Sequence, residues 1–581
     1  MWMIRIVAIT GLVVGLVPGG LRGEDLLSKA GERRFRQPSK LVLSADGARL
    51  LVANRRSGSL SVVDRATGRV VSEQDIGREI VDLALLPDGR LLAVDRAGDT
   101  LIVLKLEDSG VAIERRIAVE AAPVAVLVTP DGSTAVVSST LSHQITIVAL
   151  DGQSDKPLSR AIPLPFGPML LAWAVRGSVV AAADARGGQI AVVDLARDVP
   201  SSVRSIPAHN IRGLALSPDG RSLVVAHQTL SKLAKATFED VHWGSLIGNH
   251  LRILAIDSVL KSDGDLLRGS RLIDLGRTGQ AAGDPGAIAF DGSGKPIIAL
   301  SGVHEIALVS DSRSYLARRV PVGLGPSSLD VSHDGALVYV ADTFDDTISV
   351  VDVATASRLR TIALGARPEA GPVERGERLF FDARLSHDGW MSCQSCHTDG
   401  RDNGQVADTL TDGGFGAPKR VSSLLGVGST GPWGWLGTSL KLDDQVRKSI
   451  ESTMSGQAPS DTEVDDLTAY LRSLPPPRSR SILAADAVGR GQALFQTRKC
   501  ADCHAPPDFT SEGRFDVGLV DAVGNRQFNP PSLRGVADRP PYLHDGRAAR
   551  LSDVFLEHRH PRAAVWSTAE VADLVAFLKS L

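Results

Sequence analysis

One phrase, repeated seven times, constrains this chain more than any other feature. Each copy is an apolar run, a two-residue turn, a second apolar run, another turn and an alternating stretch. Two clear copies are LVLSADGARLLVANRRSGSLSVVD (41–64) and LDVSHDGALVYVADTFDDTISVVD (329–352). The first turns fall at Asp46-Gly47, Asp88-Gly89, Asp131-Gly132, Arg176-Gly177, Asp219-Gly220, Asp291-Gly292 and Asp334-Gly335. Their spacings are 42, 43, 45, 43, 72 and 43 residues. Asp-Gly between β-branched runs marks a hairpin, because such turns favour a residue that accepts positive φ. A period near 43 with several short strands per unit predicts a β-propeller, and seven turns predict seven blades over 33–365. The long interval predicts an insertion of 29 residues, at about 228–250, in the fifth blade.

The first 23 residues read as a signal peptide rather than fold. A short basic start is followed by an apolar run at 6–18, then by Gly19, Gly20 and Gly23 before Glu24. The run is shorter than the ~20 residues a membrane-spanning helix needs, so an uncleaved anchor is the weaker reading. A soluble protein, periplasmic or extracellular, is expected. Sixty-four basic against 67 acidic residues leave a net charge of −3, which excludes a polybasic nucleic-acid binder.

All four cysteines fall in two frames of one pattern, Cys393-Gln394-Ser395-Cys396-His397 and Cys500-Ala501-Asp502-Cys503-His504. C-x-x-C-H is the attachment site of a c-type haem. Thiols three residues apart sit on one helical turn, where each can add to a vinyl group, and the next histidine reaches the iron as proximal ligand. Zinc binding would call for four close ligands without that fixed histidine, and a redox dithiol would not come in two matched copies. Two covalently bound c-type haems are therefore expected, at Cys393/Cys396 with His397 and at Cys500/Cys503 with His504.

The frames lie in duplicated units. An offset of 107 superposes the two motifs and carries 463–474 (EVDDLTAYLRSL) onto 570–581 (EVADLVAFLKSL). Between them SLLGV (423–427) matches SLRGV (532–536), WLG (435–437) matches HDG (544–546), and upstream GERLF (376–380) matches GQALF (491–495). Apolar positions three and four apart give each closing helix one buried face. The expected architecture is an all-β seven-bladed propeller, a first all-α cytochrome c domain at 366–477 and a second at 478–581, with a Pro-rich joint at 475–477 and an Ala/Pro-rich linker at 366–373.

The repeat resembles the YVTN family of extracellular propellers, which speaks to fold. The pair of helical units resembles the bacterial di-haem cytochrome c peroxidase family with its MauG-type relatives, through GERLFFDARLS (376–386), both haem motifs and PSLRGVADRPPYLHDGRAARLSDV (531–554). That resemblance implies one haem that reacts with peroxide and one that feeds it electrons, with a glutamine and a glutamate in the reactive pocket. Trp433 falls where the glutamine would be, and Asp444, the only catalytic candidate, falls where the glutamate would be.

Sixth ligands follow by elimination. No histidine lies between His397 and His504, and Met454 is the only methionine after Met391. Met454 is thus the candidate for the first haem, and His560 for the second, with His558 as its substitute. His544 reads as a structural turn. The competing assignments are Met454 as core filler and 558–560 as an exposed run. His227, His242, Trp243 and His250 cluster around the fifth-blade insertion, where a surface loop is the simpler reading than a cover for a haem edge or a hold on the cytochrome module. The acidic run 461–466 suits a helix N-terminus. Three functions compete: electron transfer with a redox partner protein or small donor or acceptor, the propeller serving as docking platform; peroxidase or MauG-type oxidation; and a mainly structural role. Electron transfer is the leading expectation.

Overall fold

The computed structural model describes residues 33–581 except 152–157, 310–316, 478–483 and 563. The proposed signal peptide lies outside the described residues.

Seven four-stranded antiparallel sheets follow one another in strict sequence order. The first is built from Pro38–Leu43, Arg49–Asn54, Ser59–Asp64 and Arg69–Asp75, and the seventh from Pro326–Val331, Leu337–Asp342, Thr347–Asp352 and Ser357–Ala363. Burial follows strand position. Second strands such as Leu91–Asp95 are buried throughout, because both faces of a blade meet a neighbour, whereas the outermost Ser357–Ala363 is nearly all exposed. The ring closes between the first and last blades: Leu41 N–H donates to Ser328 Oγ (3.2 Å), Leu43 N–H to Asp330 Oδ2 (2.8 Å), and Thr343 Oγ1 to the Pro38 carbonyl (2.8 Å).

The hairpin turns form for the expected reason, with two corrections. Six of the seven glycines have φ between +66° and +87°, and in four of those turns the preceding aspartate accepts from a hydroxyl two residues earlier, as Asp219 does from Ser217 (2.6 Å). In the sixth blade the left-handed residue is Gly294 (φ +79°), not Gly292, because the turn there is built from Asp291 N–H to the Lys295 carbonyl and runs two residues later. The fifth-blade excess is not one insertion at 228–250. Strands Ser222–Leu230 and Ile247–Ala255 pair into both ends of that span, leaving an excursion at 231–246 with the helix Phe238–His242, and a second elaboration follows Ala255.

Past the propeller the chain folds as two helical units of one plan. Opening helices Pro372–Phe380 and Ala485–Thr497 cross closing helices Asp461–Ser473 and Thr568–Ser580. Each closing helix starts in a capping box, Ser460 with Glu463 and Ser567 with Glu570, so the acidic starts are structural. The crossings demand glycine: a Cβ on Gly376 would stand 1.9 Å from the Asp466 carbonyl oxygen, and one on Gly491 2.0 Å from that of Asp573. Among the described residues no helix is long and apolar enough to cross a membrane.

Candidate functional site

The first haem motif is docked on the propeller. Cys393–Cys396 forms one helical turn capped by Ser392, and its two middle residues, Gln394 and Ser395, are buried against the starts of blade strands. Asp284 accepts from Ser392 Oγ (2.5 Å), Ser395 Oγ (2.7 Å) and Asn210 Nδ2 (3.0 Å). His209 Nε2 meets the Ser395 carbonyl (2.9 Å), and Asn249 Nδ2 donates to the Trp390 carbonyl (3.0 Å). Burial raises the Asp284 carboxyl, opposed by the two serine hydroxyls and the charge of Arg212. The middle residues of C-Q-S-C-H thus fasten the propeller, while its outer thiols are left for chemistry.

Those thiols open into a single cavity of about 480 Å³ that both motifs share. Its walls include Cys393, Cys396 and His397 from the first unit and Cys500, Cys503 and His504 from the second. All four cysteines are unpaired. Burial pushes the Cys393 and Cys396 thiols up to about 12 and Cys500 up to about 11, the reverse of the lowered values of redox-active dithiols. His397 Nδ1–H donates to the Ser422 carbonyl (2.8 Å) and His504 Nδ1–H to the Phe509 carbonyl (3.2 Å). Each imidazole is thereby fixed in the tautomer whose Nε2 carries the lone pair, as a metal-ligating histidine requires.

Haem fits this chamber. Arg420 and Arg539 line it, and the Nε of each is buried without a hydrogen-bond acceptor. Burial lowers the Arg539 guanidinium to about 10, with Arg420 adding to the effect. Arg420 also pairs with Asp402 (3.2 Å) and Arg539 donates to the Ser532 carbonyl (2.5 Å), but the unpartnered Nε donors of both match the carboxylate groups that a porphyrin carries. Nothing in the sequence flagged them beyond their place near the SLRGV-type segments.

The candidate sixth ligands separate clearly. His560 faces His504 with ring centres 6.5 Å apart, tilted by 66°. That gap accommodates one atom between two ring nitrogens at metal–nitrogen bonds of ~2.0–2.1 Å. Its Nδ1 is buried and unpartnered. His558 does not line the cavity. Met454 is buried in the core cluster against which Cys393 and Cys396 pack, and it lines the same chamber as His397. His544 is more than a turn residue: it is 1 % exposed, stacks on Phe528 at 4.4 Å and stands edge-on to Trp435 of the first unit.

Asp444, expected in the reactive pocket, stands outside it. It sits in the first turn of helix Leu442–Lys448, is exposed and takes no part in the cavity. One residue on a helix turns a side chain by about 100°, and it is Gln445 that faces the chamber, its amide held by Ser439 (2.7 Å) and Ser449 (3.2 Å). Trp433 does line the cavity, its indole N–H tied to the Val427 carbonyl (3.1 Å). Among the fifth-blade residues, His227 is buried within the blade, His250 bonds Asp274 (2.7 Å), and His242 reaches the cytochrome unit at His387 (2.9 Å).

Residues 371–476 match the family described as di-haem cytochrome c peroxidase, residues 488–581 match cytochrome c, and 79–237 match a domain of unknown function. The chain is 28 % identical over 320 residues to the methylamine utilization protein MauG of Methylorubrum extorquens, spanning 42 % of this chain and 88 % of that protein. It is 26 % identical over 272 residues to the cytochrome c551 peroxidase of Nitrosomonas europaea, spanning 36 % and 80 %. A solved structure of Kuenenia stuttgartiensis hydrazine synthase aligns with a TM-score of 0.49 at 23 % identity, over 58 % of this chain and 99 % of that one. The chain therefore carries a di-haem cytochrome c peroxidase/MauG domain and a cytochrome c domain behind a seven-bladed propeller, and haem is its cofactor.

Proposed function

We propose that the protein is an exported c-type cytochrome with two covalently bound haems, whose main activity is electron transfer to or from a redox partner protein or a small donor or acceptor. Cys393/Cys396 and Cys500/Cys503 hold the haems, and His397 and His504 are the proximal ligands. His560 is the sixth ligand of the second haem and Met454 that of the first. Haem supplies a one-electron couple at iron; the chain supplies the rest. The carbonyls of Ser422 and Phe509 orient the proximal imidazoles, Arg420 and Arg539 neutralise the porphyrin carboxylates, and the shared cavity keeps the two groups in one low-dielectric chamber. The observation that carries the reading is the facing pair His504 and His560, 6.5 Å between ring centres. The propeller is the rigid mount of the first haem unit and the docking platform. Export to the periplasm or beyond rests on the apolar leader.

Peroxide chemistry is the second reading, favoured by the Gln445 amide in the cavity, where the resemblance implies Trp433 and Asp444. The deciding test is the mass and the electron paramagnetic resonance spectrum of the oxidised protein. Two haem additions and only low-spin iron support the first reading, and one addition or a high-spin wild-type signal overturns it.

A further inference from the structure

We propose that His242, His387 and Asp388 form a mononuclear site for a divalent first-row transition cation, outside the haem cavity, that clamps the propeller to the first cytochrome unit. His242 ends the short helix Phe238–His242 in the fifth-blade excursion; His387 and Asp388 lie five to six residues before Cys393. His242 Nδ1 is 2.9 Å from His387 Nε2 and 3.8 Å from Asp388 Oδ2, and His387 Nε2 is 3.5 Å from the same oxygen. None of the three lines the haem chamber.

Hydrogen bonding alone does not account for this triangle. The two imidazoles can share one proton, but the carboxylate oxygen stands at or beyond hydrogen-bond range from both. Three lone-pair atoms nonetheless converge. Tetrahedral ligands held at ~2.0–2.1 Å lie about 3.4 Å from one another, the middle of the observed edges. The supports are those of a ligand set. Gly279 N–H donates to Asp388 Oδ2 (2.8 Å), which fixes the carboxylate. The Phe238 ring lies against both imidazoles, at 5.6 and 4.7 Å between centres, and Trp243 is edge-on to His242 at 4.9 Å. Asp388 holds φ at +57°, a left-handed conformation that turns its side chain from the 386–390 loop toward the propeller partners. Two imidazoles and one carboxylate suit Zn²⁺ and its neighbours, and three protein ligands leave a position open on the half-exposed side.

The test uses the chelator-treated holoprotein titrated with ZnCl2 against a chromophoric competitor, followed by X-ray absorption at the zinc edge, which haem iron does not obscure. One zinc per chain is expected, with imidazole scattering from two histidines. His242→Ala and His387→Ala each weaken binding by at least ~100-fold, beyond the loss typical of an outer partner. His250→Ala, which removes a histidine bonded to Asp274 instead, binds as wild type does. An unchanged haem spectrum shows that the variants are folded. Failure of the wild type to take up zinc, equal affinity in the His242 variant, or a zinc spectrum without imidazole scattering overturns the proposal. Haem loading does not enter any of these outcomes.

Discussion

Arg186 reaches from the fourth blade to both cytochrome units, and its removal should release them. Its Nε donates to the Asp402 carbonyl (3.1 Å), its guanidinium pairs with the Asp402 carboxylate, and its third nitrogen donates to the Asp538 carbonyl. Asp402 is fully buried. In Arg186→Ala that carboxylate keeps Arg420, at 3.2 Å, and the Gly404 N–H, at 3.1 Å. Stripping one partner from a buried pair costs ~3–5 kcal/mol, and the surviving Arg420 puts this case near ~3 kcal/mol. At 1.4 kcal/mol per decade, ~3 kcal/mol raises the undocked population about 100-fold. Digestion by a broad-specificity protease tracks that population when docking is fast. Cleavage within 366–373, identified by mass spectrometry, should therefore be slow in the wild type and about 100-fold faster in Arg186→Ala, with Arg186→Lys between them because an ammonium cannot reproduce the fork. Burial raises the Asp402 carboxyl, but Arg186 and Arg420 outweigh it and hold it below the usual range. Its contribution is thus present above the unfolded value near ~3.9 and is lost only as pH falls through the lower folded value. A gain in cleavage below about tenfold, or less than ~1.4 kcal/mol, would refute the docking role assigned to Arg186.

Gly376→Ala should lower stability: overpacking at ~1–3 kcal/mol exceeds the helix-propensity gain of ~1 kcal/mol, since the new Cβ meets backbone at 1.9 Å. Gly489→Ala, in an opening helix with nothing within 4 Å, should raise it by up to ~1 kcal/mol, and thermal melts distinguish the two. His560→Ala should convert the second haem to high spin in the absorption spectrum, while His558→Ala leaves it low-spin. Asp382 joins the first cytochrome unit to His304 of the sixth blade (3.4 Å); burial raises its carboxyl, but Arg384 and His304 together hold it well below the usual range. Asp382→Asn should therefore destabilise the protein near neutral pH and flatten its loss of stability below about pH 4, read from melts across pH.

The propeller was legible because each blade states its own hairpin chemistry: Asp-Gly turns and β-branched runs need only local sequence. The sixth turn escaped because Asp291-Gly292-Ser293-Gly294 offers two glycines, and only ladder pairing decides which is left-handed. The haem motifs were equally plain, covalent chemistry leaving a fixed spacing. Asp444 failed because a carboxylate one position off in a helix points elsewhere, a difference that composition cannot carry. The docking surface had no sequence signal at all. Ser392, Ser395 and Asp284 are ordinary residues 108 to 111 positions apart, and their meaning comes from tertiary placement alone.

The most direct test of electron transfer as the main activity is a stopped-flow reaction of hydrogen peroxide with the oxidised and the half-reduced holoprotein, alongside Met454→Ala. With Met454 and His560 as sixth ligands, the wild type reacts slowly in both states, and Met454→Ala reacts faster and is high-spin. Rapid peroxide turnover by the half-reduced wild type would contradict the account and make peroxide reduction the primary function.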